Sequence, residues 1–163
     1  MVHSGSIVAQ EKRPILANTV ISERRHQMNI ATLYVHGADV NLDHLTEQLG
    51  STGTSRWKVG DPMHRGKLHR CSGIAFDLAD SDTPRNLVDE IRRCLSRWHT
   101  AGISLARLNL NGELSIGITV GDSAQFTAHV EFSAVDMLTL GSIGIALSIA
   151  AYPTSDDANE FDT

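Results

Sequence analysis

Apolar and polar positions along this chain follow two rhythms. Ile30-Ala-Thr-Leu-Tyr-Val-His36 is rich in β-branched and aromatic residues and predicts a strand, which Gly37 ends. From Asn41 the spacing changes to three and four. Leu42, Leu45 and Leu49 share one helical face, Asn41 is a cap and Gly50 a natural stop. Arg56-Trp57-Lys58-Val59 predicts a short strand before the turn chemistry of Gly60-Asp61-Pro62, and residues 63–69 read as a polar loop. Ile74, Phe76 and Leu78 alternate with Ala75 and Asp77, which predicts a half-buried strand over 72–79.

Thr83-Pro84 is a helix start, a capping hydroxyl followed by proline at the first helical position. Leu87, Val88, Ile91, Cys94, Leu95 and Trp98 then recur at helical spacing, and Gly102 ends the run. Ala106, Leu108 and Leu110 predict a strand. Asn111-Gly112 is the preferred pair for a tight hairpin turn, and Leu114, Ile116, Ile118 and Val120 alternate on a return strand. A third strand is predicted at Phe126, Ala128, Val130 and Phe132. Ser133-x-x-Asp136 resembles a capping box and opens a short helix over 134–141. Ile145, Leu147 and Ile149 make a last strand, stopped by Pro153.

The expected order is β-α-β-β-α-β-β-β-α-β. That is an α+β fold, a largely antiparallel sheet with about three helices packed on one face and a ferredoxin-like order in the first part. Residues 1–27 are expected to form an N-terminal arm, with an edge strand near Asn18–Ser22, and 28–153 a single domain. Residues 154–163 are expected to be an acidic, disordered tail.

Composition narrows the functional classes. The 163 residues carry 14 Lys+Arg against 19 Asp+Glu, a net charge of −5, which argues against a general nucleic-acid binder. No 18-residue apolar run predicts a membrane span. Cys71 and Cys94 are too few for a disulfide framework and are expected to be buried free thiols. The first residues lack the charged start and apolar stretch of a signal peptide, so a reducing compartment, the cytoplasm, is expected.

Candidate chemistry is sparse. Gly60 to Lys67 imitates a phosphate loop but has five residues between its glycines where four are required, and Leu68 stands where a hydroxyl would hold magnesium. His64, His69 and Cys71 are zinc-compatible ligand types, one short of a structural set, and are expected to be loop residues without metal. His129 and Glu131 alternate like an acid–base pair and are expected to be the solvent side of a sheet. The stretch from Arg56 to Arg70 is basic beside Trp57. It fits either an anion-binding loop or a solvated loop whose tryptophan packs into the core. No catalytic constellation and no cofactor motif is found, so no enzymatic activity and no cofactor are expected.

Three segments carry a family resemblance: Ala31-Thr-Leu-Tyr-Val-His-Gly37 with the helix ending Leu49-Gly50, the segment Arg56 to Pro62, and the ending Leu140-Gly-Ser through Ile145 to Tyr152. Over roughly residues 29–152 the chain resembles the bacterial domain of unknown function family 4279. That family's final strand often carries acids between its apolar residues, where this chain has Ala and Ser. Small α+β proteins of this kind occur as immunity proteins beside bacterial toxins. The resemblance therefore implies a cytoplasmic protein-binding module that neutralises a cognate, basic toxin domain by occlusion, without membrane or nucleic acid. Candidate partner-binding residues are Asp77, Asp80, Asp82, Glu113, Asp122 and Glu131. The alternative is a small-ligand-binding or enzymatic domain using the loop 56–71, with Arg56, Trp57, Lys58, Asp61, His64 and His69.

Overall fold

The computed structural model describes residues 28–38, 41–50, 53–63, 66–121 and 125–153. Strand β1 (Asn29–Gly37) is followed by helix α1 (Leu42–Leu49), the short β2 (Ser55–Trp57) and β3 (Ser72–Asp80). Helix α2 (Pro84–Thr100), β4 (Asn111–Val120), helix α3 (Ala134–Ile143) and β5 (Ile145–Pro153) complete the order. The expected arm and its edge strand, and the expected tail, lie outside the described residues.

The five strands form one sheet in the order β2-β3-β1-β4-β5. The pairings β2–β3, β1–β3 and β1–β4 are antiparallel, and β5 joins β4 in parallel. Strands β4-β1-β3-β2 thus make the split βαβ arrangement that the first six elements predict, with β5 added at one edge. The fold is α+β with an antiparallel-dominated sheet, as expected.

Local chemistry accounts for the helices. The Asn41 side chain accepts from His44 N, and Gly50 takes φ +61 to close α1. Thr83 caps α2 by accepting from Asn86 N, with proline in the first turn. At α3 the capping box forms in full, with Ser133 and Asp136 each bonded to the other's backbone N–H. The apolar stripe of α2 puts Leu87, Val88, Ile91, Leu95 and Trp98 in the core. Leu87, Ile91, Leu95 and Trp98 meet Ala31, Leu33, Val35, Ile74, Phe76, Leu114 and Ile116 from one face of the sheet. Trp98 Nε1 donates to the Leu49 carbonyl at 3.0 Å, tying α2 to the end of α1.

Arg92 fastens α2 to the start of α3. Its guanidinium donates to Asp136 at 3.0 Å, to Asp89 at 3.2 Å and to the Glu131 carbonyl at 3.0 Å. The Asp136 hydrogen bond, the largest influence, raises the Arg92 pKa against an opposing effect of burial. Burial pushes the Asp136 carboxyl up. The Arg92 and Ser133 hydrogen bonds and the Arg92 charge outweigh it, leaving the group below its ordinary value.

Two expected strands do not form. Residues 106–108 are a single 3-10 turn, closed by Asn109 at φ +55, and Leu110 N donates back to the Leu105 carbonyl. Asn111 and Gly112 make no hairpin turn but open β4, where they pair with His36 and Val35. The reason is the sheet itself: both edges of β4 are taken, by β1 and by β5. No edge remains for a hairpin partner on either side. The stretch 126–132 is irregular for the same reason, and Phe126 is 79% exposed. Gln125 anchors its start, donating to Asn29 Oδ1 at 3.0 Å and to the Thr119 carbonyl at 2.6 Å.

Candidate functional site

The helices cover one face of the sheet, and the strands turn a second face outward. Cross-strand partners share a face, so the register defines this surface row by row. Trp57, Gly73 and His36 make one end. Ser55, Ala75, Tyr34, Glu113 and Ala146 follow. Asp77, Thr32, Ser115 and Ser148 come next, then Asp80, Ile30, Gly117 and Ala150. The small side chains at its centre keep the surface flat. The four long strands carry no Lys or Arg, so the charges of this face are the acids Asp77, Asp80 and Glu113.

A β-bulge decides which acids stand here. Ala31 pairs with Ala79 and Thr32 with Asp77, so Leu78 is the extra residue on β3. Alternation alone would put Asp77 and Asp80 on opposite faces. The bulge brings both to the open face and turns Ala79 into the core. Of the expected inward set, Ile74 and Phe76 are fully buried, and Leu78, the bulge residue, is half-buried but still packs against the core.

At the Trp57 end the loop between β2 and β3 rises over the sheet. Gly60 N bonds the His69 carbonyl, His69 N the Asp61 carbonyl, and Met63 N the Lys67 carbonyl. The loop is thus a narrow ladder carrying a Pro62–Leu68 bridge. Between ladder and sheet lies a groove of about 1120 Å³, lined by Tyr34, His36, Trp57, Met63, Leu68, His69 and Cys71 among others. Its rim carries Lys67 and Arg70. Val59 and Leu68 are 64% and 60% exposed, an apolar lip of the kind that marks interaction surfaces.

Trp57 does not pack into the helix-covered core. Its indole lies on Gly73, where any Cβ would collide with it. It stacks on the His69 ring at 5.1 Å between centroids and 25° between planes, and Tyr34 stands 6.5 Å away. The glycine is the reason the indole can lie flat on the sheet.

The other candidate residues scatter. Arg56 turns to α1, pairing with Asp43 at 2.7 Å and donating to Thr46 at 3.2 Å. Asp61 braces the loop by accepting from Lys58 N at 2.7 Å. Neither Asp61 nor Lys58 lines the groove. His64 and Asp122 lie outside the described residues. Asp82 stands at a separate polar notch with Asp80, Ser81 and the α2 residues Asn86, Glu90 and Arg93. Glu131 and His129 are exposed and 3.6 Å apart, in the irregular segment before α3 rather than on a strand. Among the described residues no three of His, Cys, Asp and Glu come together as a metal site, and no helix is long and apolar enough to cross a membrane.

Of the groove residues, Trp57, His69 and Cys71 stand out in the sequence as candidate chemistry, whereas Tyr34 and His36 do not. The signal for Tyr34 and His36 is parity: they alternate with the core residues Leu33 and Val35 and so face away from the helices. Comparison of the chain with protein-family models, with curated proteins and with solved structures finds no match.

Proposed function

We propose that this chain is a protein-binding module whose partner seats on the open face of the sheet. Its specific role in this reading is that of a cytoplasmic immunity protein, neutralising a cognate bacterial toxin by covering the toxin's working surface. The observation that carries the reading is the charge pattern of that face. Asp77, Asp80 and Glu113 stand on a flat ground of Ser, Ala, Thr and Gly, with no cation on the four long strands. Tyr34 and Trp57 add two aromatic anchors at one end. A rigid acidic surface suits a basic partner, because opposed potentials speed encounter and preorganised groups lose less entropy on docking. Occlusion needs no catalytic group and no cofactor.

The test is binding to the product of the neighbouring gene at rising salt. Association should slow markedly between about 0.05 and 0.5 M salt, as screening shortens to a few ångströms. Asp77→Lys with Glu113→Lys should weaken binding by at least about 1 kcal/mol. Binding indifferent to both changes would sink the electrostatic account, and absence of any binding would sink the role.

The groove favours a second reading, a small-ligand site. A planar anion could stack on the Trp57–His69 platform beneath Lys67 and Arg70. Saturable quenching of indole emission by an aromatic carboxylate, lost in Trp57→Leu, would promote it.

A further inference from the structure

Cys71 and His36 are far apart in sequence and meet at the floor of the groove. Cys71 Sγ lies 3.5 Å from His36 Nδ1. Both side chains are half-buried, and both line the opening between sheet and loop. The strand pairing fixes this meeting. His36 pairs with Gly73, so the residue two before Gly73 lies just past the end of β1 beside the imidazole. A histidine protonated on Nε2 leaves Nδ1 free to take the thiol proton. The contact therefore has the geometry of a thiol beside its base, in a site a small molecule can enter.

The surroundings restrict which molecule. Lys67 and Arg70 stand on the rim, while the walls are Tyr34, Trp57, Val59, Met63 and Leu68. Among the described residues that line the groove there is no acid. The entrance thus favours an anionic reactant, whichever way the rest of the face is used.

We propose that Cys71, with His36 as its base, is a thiol–disulfide exchange site for low-molecular-weight disulfides bearing carboxylates. His36 Nδ1 takes the proton from the Cys71 thiol, and the thiolate attacks one sulfur of the disulfide. A new bond forms between Cys71 Sγ and that sulfur as the old S–S bond breaks. The departing thiolate recovers the proton from the imidazolium and leaves as a free thiol. One disulfide is exchanged for another, so no further oxidant is needed. The adduct fills the aromatic end of the open face. Cys94 supplies an internal contrast: burial pushes its thiol up, away from the reactive thiolate form.

The experiment uses the full chain with Cys94→Ser, so that only Cys71 is read. Mixed-disulfide formation is followed by mass with oxidised glutathione, which is anionic, and with cystamine, which is cationic. Each rate is divided by that of the same protein unfolded in guanidinium. The folded chain should favour the anionic disulfide over the cationic one by about tenfold more than the unfolded chain does. His36→Gln should slow the folded reaction by about tenfold or more. In His36→Ala, added free imidazole should restore part of the rate, which a merely structural role for His36 would not allow. Circular dichroism of both variants confirms that they fold, and any that does not is replaced by His36→Asn. The proposal is overturned if folded Cys71 reacts no faster than the unfolded chain with glutathione disulfide. It is equally overturned if the folded His36 variants, with or without imidazole, react like the parent.

Discussion

Thr32 donates its hydroxyl to Asp77 across the β1–β3 ladder at 3.2 Å, at the point where that ladder loses step. The bond marks the open face, and the extra residue beside it, Leu78, lets Asp80 join Asp77 there. Deleting Leu78 removes the extra residue and leaves plain alternation, with Asp77 and Asp80 still on the open face and Ala79 still in the core. The deletion should therefore cost only the packing of the half-buried Leu78 side chain, about 1–2 kcal/mol. Asp80→Ala should stay within about 0.5 kcal/mol of the parent, as exposed positions do. Denaturant midpoints of the two variants decide the matter, and loss of cooperative unfolding in the deletion would show that the bulge itself holds the two flanks in register.

Leu95 sits on the buried stripe of α2 with Ile91 and Trp98, 2% exposed. Leu95→Ala leaves a cavity among residues held by three helices and the sheet, and should cost roughly 2–5 kcal/mol. Urea denaturation followed through the buried Trp98 reads this directly. An unchanged midpoint would mean that the helix does not close the core.

Gly112 tests why the Asn111-Gly112 pair misleads. A hairpin turn would need positive φ at this glycine, and the glycines with positive φ do not include it. What requires glycine here is space. A Cβ would crowd the Leu105 methyl and come within 3.2 Å of Ile145 Cγ1 and 3.3 Å of the Gly144 carbonyl. Gly112→Ala should therefore destabilise by about 1–3 kcal/mol through overpacking. Leu105→Ala in the same chain should recover part of that loss, whereas a turn-forming glycine would give no such recovery.

The same pair shows how far the residues could be read. Caps, stops and apolar stripes of the helices act within a few residues, and Asn41, Thr83, Ser133 and Gly50 behave as their chemistry predicts. Strand pairing is decided at a distance. Nothing near Asn111 announces that β5, more than thirty residues on, will occupy the edge a hairpin would use. The candidate site divides along the same line. Trp57 and His69 stand out locally, while His36 and Cys71 are 35 residues apart and meet only through the β1–β3 register. Leu78 alternates as well as any neighbour, so the bulge that sorts Asp77 and Asp80 leaves no mark in the pattern.

Asp136 gives the fold an acid limit. Its carboxyl lies below the ordinary value because the Arg92 and Ser133 bonds outweigh the burial that raises it. A depressed folded-state value means the stabilisation is fully present above the unfolded carboxylate value, near 4. It is lost as pH falls through the folded one. Stability should therefore decline on acidification below about pH 4, and Asp136→Asn should make that decline shallower. At neutral pH the same variant should cost about 0.5–2 kcal/mol, from the weakened cap and the lost ion pair. Thermal melts across the acid range read both effects. An Asp136→Asn chain with the parent's acid slope would remove this group from the account.

Trp57 and Gly73 form the packing pair that the groove depends on. The indole lies against the bare Cα of Gly73, and a methyl group there would strike the indole ring and approach the Val35 carbonyl at 2.8 Å. Gly73→Ala should therefore lift Trp57 off the sheet and break its 5.1 Å stack on His69. The cost should be about 1–3 kcal/mol, because overpacking against backbone relaxes poorly. Part of that cost belongs to the indole and part to the carbonyl, and a double-mutant cycle separates them. In a Trp57→Ala chain only the carbonyl contact is left, so Gly73→Ala should cost at least about 1 kcal/mol less than in the parent. Indole quenching by acrylamide provides an independent view: Trp98 is buried and stays protected, so a rise in quenching in Gly73→Ala reports on Trp57. Additive costs together with unchanged quenching would mean that the indole does not rest on Gly73, and the aromatic platform of the groove would go with it.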